Sequence, residues 1–183
     1  MKGSKVQMVL LKPGEFWQKE KVVPTGTKEL LAWYFFPVVL LAGISEFAGK
    51  MLWSSGFYLL YPLLRSLREI TLYLFLYLIS VFISNQLIKA FGGRKNLHAI
   101  KRIIAFSLAP VILVNIVTNL FPFLYVLEIL GFYSFFIFLA GVETLLEFPE
   151  KKHIKYILMT LFANFFVFSF LSIFLSKLVT SFL

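Results

Sequence analysis

The chain has 183 residues, 60% of them hydrophobic, with a mean hydropathy of +0.86 and a formal net charge of +9. Average globular usage is roughly 45–50% apolar, so this excess, gathered in long uncharged runs, excludes an ordinary soluble domain. Cysteine and aspartate are both absent, which removes disulfides, thiolate nucleophiles and Cys-based metal sites. The runs are apolar all round rather than on one face. They are also too long and continuous for barrel strands of about 9–11 alternating residues. A backbone in lipid must satisfy its own polar groups, which leaves helices. The expected fold is all-α, an integral membrane bundle of five transmembrane helices.

Residues 1–29 form a basic tail with six Lys and three Glu. Val6 to Leu11 is shorter than a signal-peptide core of about 7–15 residues, and no small-residue cleavage site follows it. Pro13 suits a first helical position, Glu15 suits a first turn, and Phe16 and Trp17 lie among lysines. This pattern predicts a short interfacial helix on the membrane surface. The membrane domain, residues 30–183, is expected to cross at about 30–47, 68–90, 102–120, 123–142 and 155–181. Trp33 to Phe36 anchor the first span at an interface, and Glu46 and Lys50 are spaced to pair at its far end. Met51–Leu64 is uncharged but falls short of the ~20 residues of a crossing, and contains Gly56 and Pro62. It is expected as an interfacial or re-entrant segment.

Orientation follows from Lys and Arg. Five spans place fourteen of the eighteen on the side of the tail, whereas a sixth crossing would leave nine on each. The positive-inside bias selects five, with the N-terminus cytoplasmic and the C-terminus outside. The cation excess implies anionic headgroups, and no nucleic-acid recognition module accompanies it.

The mid-span carboxylate is Glu128, in a position that is costly unless a partner or the bundle interior receives it. It is expected either to hydrogen-bond Asn115 or Asn119 on the preceding helix, beside a kink at Pro110, or to lie near the outer interface at the start of its span. These four residues make up the candidate intramembrane polar site. Asn85, Gln86 and Asn164 are read as interhelical hydrogen-bonding groups. Gly131 and Gly141 allow close approach of helices. Glu143, Glu147, Glu150, Lys151 and Lys152 are expected in a solvated turn around Pro149. No triad, zinc signature or paired acid is visible, and Gly92-Gly93 lacks phosphate-loop spacing. Neither catalysis, a metal nor a cofactor is expected.

Further motifs carry a resemblance. Leu11, Pro13 and Phe16 form a Leu-x-Pro-x-x-Phe element, and Gly92-Gly93-Arg94-Lys95 leads into Ala105, Ala109 and Pro110. Pro122 ends an outer turn, and Gly131, Tyr133 and Ser134 precede Gly141-Val142-Glu143. This layout resembles the Yip domain family, the Ypt/Rab-interacting proteins and their prokaryotic relatives. The resemblance implies five transmembrane helices with a cytoplasmic N-terminus. Eukaryotic members act in traffic between endoplasmic reticulum and Golgi, bind Rab GTPases and one another, and have no established catalytic activity. The short tail here lacks their longer acidic-aromatic region, so small GTPase binding is not carried over. A prokaryotic-type member of the plasma membrane is expected.

The expected function is that of a non-enzymatic membrane organiser or scaffold. Its basic face, Lys12, Lys19, Arg94, Lys95, Lys101 and Arg102, would contact anionic lipid headgroups or a protein partner, either another membrane protein or a second copy. The alternative is a small transporter, channel or lipid-moving protein with a polar path around Glu128.

Overall fold

The computed structural model describes residues 3–53, 59–149 and 152–181. Two short helices, α1 (Gly3–Leu11) and α2 (Pro13–Val22), precede five long ones. These are α3 (Thr27–Trp53), α4 (Leu60–Ala90), α5 (Leu97–Leu120), α6 (Pro122–Leu145) and α7 (Lys152–Thr180). Each of the five is long and apolar enough to cross a membrane, the shortest having 24 residues, against the ~20 that a crossing needs. No strand occurs among the described residues.

The five crossings come in the expected order, but α3 runs past residue 47 to Trp53 and α4 starts at Leu60 rather than at 68. The segment expected as a separate interfacial or re-entrant piece is therefore divided. Met51–Trp53 closes α3, Leu60–Leu64 opens α4, and residues 54–58 lie outside the described residues. Ion pairing explains the extension. Arg65 Nε donates to Glu46 Oε1 at 2.9 Å and Lys50 Nζ lies 3.9 Å from the same oxygen. Charges that would end an apolar run are thus matched within the helices.

Prolines and glycines punctuate these helices. Pro37 has no N–H to donate and its ring crowds the carbonyl of Trp33 one turn back. The backbone widens there into a π-helical turn, Leu31–Phe35. Pro110 divides α5 into Leu97–Ser107 and Ala109–Leu120, as its missing donor requires. Asn96 starts α5 by accepting the Ala99 N–H at 3.0 Å, a side-chain N-cap. Gly92, at φ 77°, ends α4. Its N–H reaches the Lys89 carbonyl at 3.0 Å and the Gly93 N–H reaches Ile88 at 2.9 Å, the paired bonds of a Schellman close that favour glycine.

At the opposite end, α3 meets α5 closely. A Cβ on Gly49 would overlap the Asn119 carbonyl, and Trp53 Nε1 donates to the Leu120 carbonyl at 2.8 Å, satisfying an acceptor that the end of α5 leaves open. Gly49→Val should therefore destabilise the bundle by about 1–3 kcal/mol, the usual cost of overpacking. Gly14→Ala, where an added Cβ would meet nothing within 4 Å, should leave stability unchanged. Denaturant unfolding of both variants in detergent checks the contrast.

The tail does not lie flat with its aromatics toward lipid. Helices α1 and α2 form a hairpin that packs into the bundle, burying Val9, Phe16 and Trp17 to 1% exposure or less. Glu20 meets Arg102 and Phe16 meets Phe106 edge-to-face at 4.7 Å, so α2 runs antiparallel to α5. Tyr133 Oη donates to the Leu10 carbonyl at 2.9 Å. The hairpin corner at Lys12 thus points toward the middle of the bundle. Trp17 Nε1 donates to the Ile137 carbonyl of α6 at 3.0 Å. Gly141, where a Cβ would come within 2.9 Å of the Trp17 ring, makes room for the indole.

Candidate functional site

Four helices contribute polar groups to one lattice inside the bundle, α4, α5 and α7 through side chains and α3 through a main-chain carbonyl. On α4, Ser66, Glu69 and Tyr73 share a face by their three- and four-residue spacing, and all are buried. Arg68 Nη1 donates to Glu69 Oε2 at 2.7 Å. Its Nη2 crosses to α7, reaching the Ser172 hydroxyl at 2.6 Å and carbonyl at 3.1 Å. From α5, Asn115 Nδ2 donates to Glu69 Oε1 at 3.0 Å and to the Tyr73 hydroxyl. Ser66 Oγ donates to the Gly43 carbonyl of α3 at 2.7 Å. Carboxylates in hydrocarbon are tolerated when a cation and hydrogen-bond donors face them, and Glu69 receives both.

Beside this lattice lies a cavity of about 230 Å³ between α4, α5, α6 and α7. Its wall is mostly apolar, with Phe132, Phe135 and Phe138 from α6 facing Phe165 and Phe168 from α7. Helices α6 and α7 carry exposed apolar side chains, Phe136, Phe162 and Phe166 among them. Asn115 and Glu128 both line it, so the structure brings together two of the four residues of the expected polar site. The expected hydrogen bond between them is absent. Asn115 is engaged by Glu69 and Tyr73, while Glu128 is exposed on the 3-10-wound first half of α6, Pro122–Phe132. Asn119 turns away toward α3, its Nδ2 3.4 Å from Ser45 Oγ. Pro110 is buried outside the cavity wall, and the break that it makes places Leu108 and Val111 in that wall.

The cations predicted for the basic face separate into two groups. Lys19, Arg94 and Lys95 are exposed and Lys101 is half-buried. Lys95 Nζ donates to Gln86 at 3.1 Å. Lys12 is exposed and paired with Glu15 at 3.0 Å. Arg102 departs from the expectation: it is 7% exposed, and its Nη1 donates to the Glu20 carbonyl at 2.7 Å and carboxylate at 3.2 Å. Glu20 also accepts the Thr25 N–H at 3.0 Å and the Thr25 hydroxyl, and lies 3.6 Å from Lys5. Arg102 therefore clamps the α1–α2 hairpin to α5 rather than facing headgroups.

Glu46 was expected to pair with Lys50 alone, and Arg68 and Glu69 were not singled out by sequence reasoning. Their signal was available: Glu69 is a carboxylate inside the run that α4 carries, and Arg68 was counted as an end-of-helix cation. Among the described residues, no group of three or more His, Asp or Glu side chains is placed to hold a metal ion.

The chain matches the family model of the Yip1 domain over residues 8–173, nearly its whole length, and belongs to that family. No curated protein and no solved structure matches it.

Proposed function

We propose that this member of the Yip1 domain family is a non-enzymatic membrane organiser that gathers anionic lipid headgroups around the end of the bundle carrying α1 and α2. An asymmetry of pairing supports this. At the other end, Lys50 and Arg65 face Glu46 and Arg68 faces Glu69. At the tail end, Lys19, Lys89, Arg94 and Lys95 are exposed and form no ion pair among the described residues. Unpaired cations at a membrane surface attract anionic headgroups, each contributing about 1 kcal/mol. By the positive-inside bias, that end faces the cytoplasm.

The test uses spin-labelled phosphatidylglycerol in bilayers that hold the protein, measuring the fraction of label slowed at its surface. Wild type should hold this lipid in preference to spin-labelled phosphatidylcholine. Changing Lys89, Arg94 and Lys95 together to Gln should weaken the preference by about fivefold for each charge removed. High salt should weaken it likewise. A preference unchanged in the variant and in salt would contradict the proposal. Arg102 is left out of this variant because its loss would unseat the hairpin.

A transport or lipid-moving role draws on a different observation, the exposed Glu128 at the wall of the cavity, which has no partner among the described residues. It would make Glu128→Gln lose flux while remaining folded.

A further inference from the structure

The outer side of the α1–α2 hairpin is polar at a depth where the helices around it are apolar. Two distances give that depth. Tyr133, which holds the Leu10 carbonyl, stands ten residues from Glu143 on α6, about 15 Å of helix. Lys12, at the corner, stands eight residues from Glu20, which meets Arg102, and that is about 12 Å along α2. Beside the hairpin, α5 carries no charge from Ile103 to Leu120 and α6 none from Ile129 to Val142. The corner therefore comes close to the middle of a hydrocarbon core of about 30 Å. Along this length Gln7, Lys12, Glu15, Gln18 and Lys19 are exposed. Leu11 is the one large apolar side chain exposed between Gln7 and Lys21, while Phe16 and Trp17 are turned inward and buried. Helix α7 does the opposite. Phe162 lies seven residues past Lys155, about 10 Å, and is 72% exposed.

We infer that this polar face is a ramp on which phospholipid headgroups and water descend beside the hairpin, thinning the tail-end leaflet there. Charges within a bilayer are relieved by snorkelling, by local thinning and by entry of water. Snorkelling does not suffice here. Glu15 lies five residues inside Glu20, about 7 Å, too far for its short side chain to reach the surface, and Lys12 is held to it at 3.0 Å. The pair stays below the headgroups, so the headgroups come to the pair. It presents a cation and an anion together, which matches the phosphate and ammonium of a zwitterionic head. A second protein chain is a poorer occupant, because the face offers no apolar anchor beyond Leu11 and the centres of interfaces are depleted in charge. The ramp serves one leaflet and gives no passage across the membrane. It operates in phosphatidylcholine alone and so does not depend on the anionic preference proposed above.

The chain has no cysteine, so single spin labels test this directly in phosphatidylcholine bilayers. Gly14→Cys places a label on the ramp, where an added Cβ meets nothing within 4 Å. It lies six residues from Glu20, about 9 Å inward. Phe162→Cys is the reference at like depth on α7. A water-soluble nickel chelate should relax the label at position 14 at least about fivefold more than the label at position 162, whereas oxygen should favour position 162. Changing Lys12, Glu15, Gln18 and Lys19 together to Leu should bring nickel access at position 14 down to that of the reference, with Phe16 and Trp17 still seated. Nickel access as low at position 14 as at position 162 would overturn the inference, showing a face covered by lipid chains or by another protein. Access equally high at both would overturn it by placing both outside the hydrocarbon. Access at position 14 that survives the four Leu changes would overturn it as well, since the polar face would not be its cause.

Discussion

Arg68→Ala should destabilise the bundle by about 3–5 kcal/mol, the range found when one partner of a buried ion pair is removed. The guanidinium serves α4 and α7 at once, neutralising Glu69 at 2.7 Å and holding Ser172 by its hydroxyl and carbonyl. Without it, a carboxylate with 4% side-chain exposure keeps Asn115 as a donor but loses its cation. Helix α7 also loses a tie to its neighbour, and little else of α7 is buried. Exchanging the pair for uncharged groups of similar shape, Arg68→Met with Glu69→Gln, should recover most of the loss, because no lone charge remains. Denaturant unfolding in detergent gives both numbers. Equal destabilisation by the single and the double variant would show that geometry, rather than unbalanced charge, governs this site.

The second large effect concerns the hairpin. Trp17→Ala should cost about 3–5 kcal/mol, typical of a large aromatic removed from a packed core, and should release α1 and α2 from the bundle. The indole is fully buried, donates to the Ile137 carbonyl at 3.0 Å and packs edge-to-face on Phe16 at 5.0 Å. Gly141→Leu should act in the same direction from the other side of the contact, because its Cβ would fall within 2.9 Å of the ring. Trypsin reports the outcome. Lys19 and Lys21 should be cut many times faster in either variant than in wild type, while α3 to α7 stay intact. A tail equally protected in all three would mean that the hairpin is held by something other than Trp17.

Some of this was legible in the chain. Five crossings follow from the uncharged runs and the Lys and Arg distribution, because hydrocarbon thickness and backbone satisfaction leave few alternatives. The break at Pro110 follows from chemistry local to one residue. The limits of α3 and α4 were not legible, because Arg65 reads as a charge that ends an apolar run until Glu46, expected to pair with Lys50 alone, is placed beside it. The docked hairpin was hidden for a different reason. Phe16 and Trp17 would be equally satisfied by lipid and by protein, and Glu20 with Arg102 pairs across 82 residues with no local pattern. Asn115 was expected to bond Glu128, and in the structure its Nδ2 donates to Glu69 instead. A polar residue in a span announces that it needs a partner, and packing decides which one it receives.

Under the proposed function, this protein gathers lipid at its surface rather than moving solutes or lipids across the membrane. The most direct test is reconstitution into liposomes, following the passage of ions and of fluorescent lipids for wild type beside Glu128→Gln. Neither protein should pass ions or lipids faster than protein-free vesicles do. Flux carried by wild type and lost in Glu128→Gln would contradict the account and make the cavity beside Glu128 a transport path.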